Sequence, residues 1–531
     1  MSDIGGITAN GKGQVSNCGV RLTNYPAIAN PKLPAEGSAS FSNVQLALCV
    51  LLFPRVLQAL APWIFRLSNS WTWYFFLVAL FGLPVTIAYW TLMSYIGPRV
   101  NEKCILPGKG LDGYVTIHDA GLKQKYPFKM PMQVFHDAFF EGKIDFNGDV
   151  LEMMEYRHDW ATFNFTPEVS YYGPSIAAKP DRSLPVQLFK FVFTNLLPEV
   201  IMHSASQDEE QVRDHYDRGD DFYEWFLGPR MIYTSGVISD INVEESLEQL
   251  QDNKLALVCE KLALEPTDRL LDIGCGWGTL AAFAGKNYGC DVTGVTLGKN
   301  QTAFGNKRLR DNGVSEAQGR ILCMDFRDVP HAKGSFNKIV SLEMAEHVGI
   351  RRYSAFLKQV YNLLDDDGIF VMQVAGIRTC WQFEDLNWGL FMNKYIFPGA
   401  DASCALNWVV SQLEHANFEI KSIDVLGVHY SATIDRWYKN WVSNKEKVIA
   451  KYGERFVVLT LCRATARSSF VSMNRWYRIW VYFLAYSTII SRQGSASVFQ
   501  ITMHKNLNGF HRIEGVPSHT SLHAPRSRKL Q

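Results

Sequence analysis

The stretch LLDIGCGWGTL, residues 270–280, constrains this chain more than any other: an apolar run ends in an acid and passes straight into a glycine-rich turn. A turn of this kind after a buried strand holds a nucleotide-like ligand at the strand's C-terminal end, which implies an open α/β sheet. The surrounding sequence agrees. LEQLQDNKLALVCEKL (247–262) has a helical pattern. RLLDIG (269–274), DVTGVTL (291–297), RILCMD (320–325), NKIVSLEM (337–344) and GIFVMQVAG (368–376) are short apolar strands separated by helix-sized segments. That alternation predicts an open, parallel, Rossmann-like sheet. Two later strands, FEIKSIDVLG (418–427) and SVFQITMHK (497–505), bracket a long aromatic helical insertion.

The spacing narrows the ligand. A phosphate-binding loop is excluded, because no Gly-Lys-Ser/Thr follows at the required distance. Gly274, Gly276 and Gly278 form GxGxG rather than GxGxxG, and the next strand runs into GVTLGKNQ with no acid to hold a dinucleotide ribose. What remains is a ligand with a carboxylate and an ammonium near the turn. Small residues let the backbone approach it, and Asp272 orients the turn or meets the ammonium through water. S-adenosylmethionine sits on such a sheet in this way, and LDIGCGWG is a specific string for it.

Ahead of this region lie two long apolar stretches, NVQLALCVLLFPRVLQALAPWIF (43–65) and WTWYFFLVALFGLPVTIAYWTLMSYIG (71–97). A membrane span needs about 20 apolar residues, and the second stretch qualifies, with Trp71, Trp73, Trp90 and Tyr95 near its ends as an interfacial belt. The first carries Pro54 and Arg55 near its middle, a costly place for an arginine, so it either spans with a partner or lies re-entrant. The short RLSNS linker predicts a hairpin that leaves tail and catalytic region on one face, the cytosolic one by the positive charges Arg99, Lys103 and Lys109. Residues 1–42 and 516–531 read as disordered tails. Residues 98–205 read as a connecting, accessory region in which MEYRHDWATF (154–163) belongs to a packed module rather than a site. Lys+Arg and Asp+Glu nearly cancel, 53 against 52, so no charge field points to nucleic acid. The ten cysteines form no CxxC or Cys/His cluster, and neither a metal site nor a disulfide framework is expected. Composition leaves the oligomeric state open.

Seven strings occur in one order: HYDRGDDFYEWFL (215–227), MIYTSGV (231–237), LLDIGCGWG (270–278), GVTLGKNQ (294–301), MAEHVG (344–349), NKYIFPGADAS (393–403) and YSATIDRWY (430–438). Over roughly residues 210–510 the chain resembles the cyclopropane-fatty-acid synthase family of class I S-adenosylmethionine-dependent lipid methyltransferases. The two apolar spans and MEYRHDWATF resemble its membrane-anchored fungal branch, the sphingolipid C9-methyltransferases. The resemblance implies a methyltransferase domain over 206–515, a membrane lipid as substrate (ceramide or a related sphingolipid) and a location in the endoplasmic reticulum. It places S-adenosylmethionine contacts at Tyr233, Thr234, Leu270, Leu271, Asp272, Ile273, Gly274, Cys275, Gly276, Trp277, Gly278, Thr296, Leu297, Gly298, Lys299, Asn300, Gln301, Phe326 and Arg327. An aromatic such as Trp277 or Phe326 can pack the adenine or face the sulfonium.

Cyclopropane synthases hold a bicarbonate ion with Cys, Glu, His and Tyr. Here the matching positions are Ser235, Glu346, Gln373 and Tyr430, so two of the four side chains differ. Serine and glutamine still hydrogen-bond an anion, but charge and basicity change, which disfavours ring closure. The expected outcome is methylation with the double bond restored, Glu346 acting as base alone or through a bound anion and Tyr430 orienting it. Ring formation or methylation on a phospholipid acyl chain is the alternative. Residues 456–475, FVVLTLCRATARSSFVSMNR, interrupt an otherwise continuous family pattern and read as an inserted segment, an unspliced intron being one origin.

Overall fold

The computed structural model describes residues 15–21, 42–65, 70–96, 107–163, 219–329, 332–379, 383–397, 404–453 and 474–509. Nearly all of the suspected insertion and most of both expected tails lie outside the described residues. Residues 15–21, within the first of those tails, form a turn closed by a bridge between Val15 and Arg21. That turn lies against the helical insertion: Arg21 pairs with Asp435 at 3.4 Å, and Arg492 Nη1 donates to the Arg21 carbonyl at 3.2 Å.

The accessory region contributes four short strands, β1 (Val115–Ile117), β2 (Met130–Pro131), β3 (Ile144–Phe146) and β4 (Ala161–Thr162), in two small sheets, β1 with β3 and β2 with β4. The main sheet holds β5 (Arg269–Ile273), β6 (Asp291–Thr296), β7 (Gly319–Cys323), β8 (Phe336–Leu342), β9 (Leu364–Ile377), β10 (Phe418–Val425) and β11 (Ala496–Lys505). Their order is β10-β11-β9-β8-β5-β6-β7, the arrangement of a class I methyltransferase. Five strands, β5 to β9, are joined by parallel ladders. β11, one of the two later strands, runs antiparallel to both β9 and β10. The reason is where the insertion starts and stops. The helix Gly427–Ser443 leaves β10 at the sheet's C-terminal edge, and the helix Arg475–Arg492 returns the chain to that same edge, where Ala496 pairs with Ile377. A strand that enters there can only run back across the sheet.

The two insertion helices therefore stand over the ligand edge. Trp437, Trp441 and Trp480 are fully buried there, and Phe222, Phe226 and Trp160 of the upstream segments join the same core. The accessory region shares that core instead of forming one of its own. Arg157 and His158 show how tightly it is tied in. The fully buried Arg157 guanidinium donates to the Glu384 carboxylate and, at 2.8 Å, to Gln493 Oε1, while Tyr486 donates to Glu384 at 3.1 Å and His158 Nε2 lies 3.3 Å from it. Asp159 accepts the Tyr114 hydroxyl. The acid, base and cation of MEYRHDWATF are thus structural.

Two N-terminal helices, Asn43–Leu60 and Trp71–Ile96, are long and apolar enough to cross a membrane, with mean hydropathies of 1.5 and 1.7 over their most apolar stretches. Only 6% and 11% of those stretches is buried within the protein, which leaves their apolar faces outward. Arg55 lies over the ring of Tyr74 at 4.3 Å and near Trp71 at 5.4 Å, so the second helix supplies aromatic faces to the charge of the first.

Candidate active site

The donor side is built from backbone. Gly274, Gly276 and Gly278 take φ values of 78°, 52° and 70°, a left-handed region that side chains resist. A Cβ on Gly274 would stand 2.6 Å from Met344 Cγ, and one on Gly278 2.9 Å from the Gly305 backbone, whereas Gly276 faces open space. The turn thus packs on two sides and opens on the third. It opens onto a cavity of about 210 Å³ lined by Ile273, Gly274, Gly276, Thr296, Leu297, Gln301, Asp325, Phe326, Arg327, Glu343, Met344 and His347, among others. Thr296 donates its hydroxyl to Gln301 Oε1 at 2.7 Å, which turns the Gln301 amide nitrogen away from that contact as a donor. Asp325 caps the turn after β7, accepting from the Arg327 N–H at 2.8 Å, and pairs with the Arg327 guanidinium.

Beneath the turn, Asp272 is buried, and its Oδ2 accepts no hydrogen bond among the described residues. Burial pushes its carboxyl up to about 7, opposed by the nearby Lys254 ammonium. Lys254 is itself buried and pushed down to about 8, opposed by Glu343 and Asp272, and donates to Thr234 Oγ1 at 2.9 Å. A ligand bearing an ammonium, a carboxylate and an adenosine fits this cradle: close backbone approach at Gly276, an acid wanting a cation, and the Phe326 face at the other end.

Across the cavity stand two carboxylates. Glu343 follows β8 directly and is held at φ 52°, where a non-glycine residue is strained. Its Oε1 accepts from the Ser235 N–H at 2.9 Å and from Gln373 Nε2 at 2.6 Å, and Tyr430 also bonds to it. The Gln373 amide cannot flip. Lys261, a pure donor, fixes Gln500 Oε1 at 2.6 Å; Gln500 Nε2 then donates to Gln373 Oε1 at 2.9 Å, leaving only the Gln373 nitrogen to face Glu343. Glu346 is buried on the short helical turn Ala345–His347, with Oε1 accepting from the Ala375 N–H. Burial first, and the Glu343 charge second, push it up to about 8. His347 lines the cavity and is pushed down to about 4 by burial, so it is neutral. From His347 a run of rings, through Phe397, Tyr233 and Trp437 to Tyr430, connects the cavity with the aromatic core at centroid spacings of 5.5–6.0 Å. An apolar acceptor laid along these rings would meet the donor cavity beside the carboxylates.

Comparison with known proteins decides the family. The model for mycolic acid cyclopropane synthetase matches residues 203–471. Sphingolipid C9-methyltransferase 2 of Gibberella zeae is 53% identical over 514 residues, 96% of this chain and 90% of that protein. The chain belongs to this family. The sphingolipid C9-methyltransferase of Komagataella phaffii is 51% identical and covers 97% and 98% of the two chains. Among solved structures, the cyclopropane synthase MmaA2 from Mycobacterium tuberculosis is 26% identical over 56% of this chain and 98% of that one, with a TM-score of 0.49.

Within this sphingolipid methyltransferase family member, the expected donor residues divide. Ile273, Gly274, Gly276, Thr296, Leu297, Gln301, Phe326 and Arg327 line the cavity, and Asp272 sits below it. Leu270 and Leu271 are fully buried in the sheet core, while Lys299 and Asn300 are exposed at a helix start. Cys275 and Gly298 stand in the two turns without reaching the cavity lining. Trp277, a candidate adenine or sulfonium face, instead enters the aromatic core, where its indole donates to Asp220 at 2.8 Å and packs on Tyr223; Phe326 is the aromatic that lines the cavity. Tyr233 and Thr234 precede Ser235, which acts through its N–H, its hydroxyl being turned to the Gly236 carbonyl. Sequence reading missed Glu343 and Lys254. Glu343 carried a signal, an acid at the C-terminal end of a buried strand and three residues ahead of Glu346. Lys254 carried none, standing among the charged residues of an ordinary helix.

Proposed function

We propose that this protein transfers a methyl group from S-adenosylmethionine to C9 of an unsaturated sphingoid base carried in ceramide, and restores the double bond. The observation that carries the reading is near-full-length identity of 48–53% to six proteins named sphingolipid C9-methyltransferase. The site is consistent in its chemistry: a donor cavity, a dry aromatic acceptor wall, and carboxylates between them. When bound, S-adenosylmethionine supplies an electrophilic methyl group. The residues that would hold it are Gly274 and Gly276 through the backbone, Asp272 toward its ammonium, Gln301 through its amide, and Phe326 against its adenine.

The chain's own groups answer what an alkene lacks. An isolated double bond is a weak nucleophile, so the aromatic wall excludes water and fixes the alkene near the cavity. Methylation at C9 leaves a cation at C8. Migration of hydride from C9 to C8 moves the charge to C9, and loss of a proton from C8 regenerates the alkene with a methyl branch. The ring faces of Tyr430 and its neighbours stabilise the positive charge, and the carboxylate pair Glu346 and Glu343 is the available proton acceptor. We place the two N-terminal helices in the endoplasmic reticulum membrane with the catalytic region cytosolic, beside the bilayer that holds the substrate.

The test is mass spectrometry of sphingolipids from cells with and without the gene, fed methyl-labelled methionine. Loss of one labelled methyl from the long-chain base, its double bond intact, supports the reading. Unchanged sphingolipids alongside a missing cyclopropane or branched acyl chain would overturn it.

A further inference from the structure

The family resemblance implies an anion, bicarbonate, at Ser235, Gln373 and Tyr430 with Glu346 nearby. In this chain all three of those groups already point at a carboxylate. The Ser235 N–H, the Gln373 amide nitrogen and Tyr430 converge on Glu343. The Gln373 donor is locked toward it by the Lys261–Gln500 relay, so it cannot be turned to serve another acceptor. The bicarbonate ion does not fit a site whose donors are spent in this way. We infer that Glu343 is the reaction's built-in anion: its carboxylate faces the C8/C9 cation and accepts the C8 proton, and no bicarbonate is recruited. The inference rests on the methylation reading above.

Three further observations support it. Glu343 lines the donor cavity, and Glu346 is not among its lining residues. The chain holds Glu343 at φ 52°, a strained conformation that persists only where its surroundings over-determine it. Charge also sorts the pair. Two adjacent carboxylates do not both ionise readily; burial raises both, but at Glu343 the Ser235 N–H, the Gln373 amide, Lys254 and Tyr430 oppose that rise, while at Glu346 the Glu343 charge adds to burial and pushes it up to about 8. A bicarbonate beside them would add charge with nothing left to compensate it. The step balances: the C8–H electron pair becomes the C8=C9 π bond, the proton passes to Glu343, and the resulting carboxylic acid returns it to water after product leaves.

The experiment uses the full-length protein in detergent or vesicles, with labelled S-adenosylmethionine and an unsaturated ceramide, in buffer stripped of carbon dioxide and in buffer with added bicarbonate. The wild-type rate is expected to be equal in the two. Glu343→Gln loses at least about 100-fold in rate, with S-adenosylhomocysteine affinity retained by calorimetry. Glu343→Gly, at ease at that backbone angle, regains activity with bicarbonate or formate, and binds ¹³C-bicarbonate by NMR where the wild type does not. A wild-type rate that rises with bicarbonate, or a Glu343→Gln variant near wild-type activity, overturns the inference. If either variant fails to fold, the wild-type bicarbonate response and the ¹³C measurement still decide. Methyl transfer only to a lipid other than sphingolipid would sink the function reading instead, and the bicarbonate comparison on that lipid would still judge Glu343.

Discussion

The sheet edge that carries the glycine turn and the aromatic cap that stands over it solve different problems with different parts of the chain. The donor edge is local. Its glycines, Asp272, Thr296 and Gln301 lie within a few residues of two strand ends, and backbone dihedrals with small side chains do most of the shaping. The cap is assembled from a distance. Arg157 meets Glu384 and Gln493, Trp160 shares a core with Trp480, and Lys261 reaches Gln373 through Gln500. A backbone-built site tolerates little change in residue size, while a cap built from side chains depends on every buried polar group keeping its partner.

Arg157→Ala should break the cap most. Burial alone would raise the Glu384 carboxyl, and Arg157 with His158 instead holds it well below the usual range. Removing the guanidinium leaves that buried carboxylate without its arginine cation, a loss of about 3–5 kcal/mol of stability, read as a fall in Tm. A single transition that takes S-adenosylhomocysteine binding with it would show that cap and sheet unfold as one unit; two transitions would confirm that they are separable.

Gly274→Val should act on the other region. The side chain must enter a left-handed φ of 78° and displace Met344. We expect a stability loss of only about 1–2 kcal/mol but donor affinity weakened by roughly 100-fold, because the backbone can no longer close on the ligand. Calorimetry showing unchanged affinity would remove the turn from the binding site.

The smallest effect is a pH dependence that isolates Asp272. Its carboxyl lies at about 7 through burial, against the pull of Lys254. A ligand ammonium favours the charged form, so binding lowers that value and releases a proton. Affinity for S-adenosylhomocysteine should therefore rise with pH, by at most about tenfold per unit below pH 7, and level off above it. Asp272→Asn should flatten the profile; a flat wild-type profile would mean that the ammonium is held elsewhere.

The donor edge was legible because its constraints are short-range: GxGxG after a buried strand, no acid after the next, and a run of apolar strands at helix-sized intervals. Those features pointed to the sheet and the donor; the family was read from its resemblance in seven ordered strings, and the apolar helices near the N-terminus from hydropathy alone. Where reading by position went too far, as at Trp277, Leu270 and Lys299, the strand's alternation and the helix's facing decided which neighbours of the turn reach the cavity. The antiparallel course of β11 and the anchoring of MEYRHDWATF against Glu384 follow from where the insertion returns to the sheet, which no local pattern encodes. Glu343 shows the division best. Its sequence position marks it only as an acid after a strand, and its partners lie 108 residues upstream at Ser235 and 30 downstream at Gln373. Composition and spacing settled that this chain holds a methyl donor on an open sheet, because backbone geometry is written locally. Which donors converge on Glu343 was decided by the tertiary structure, because the Ser235 N–H, the Gln373 amide and Tyr430 meet there only on folding.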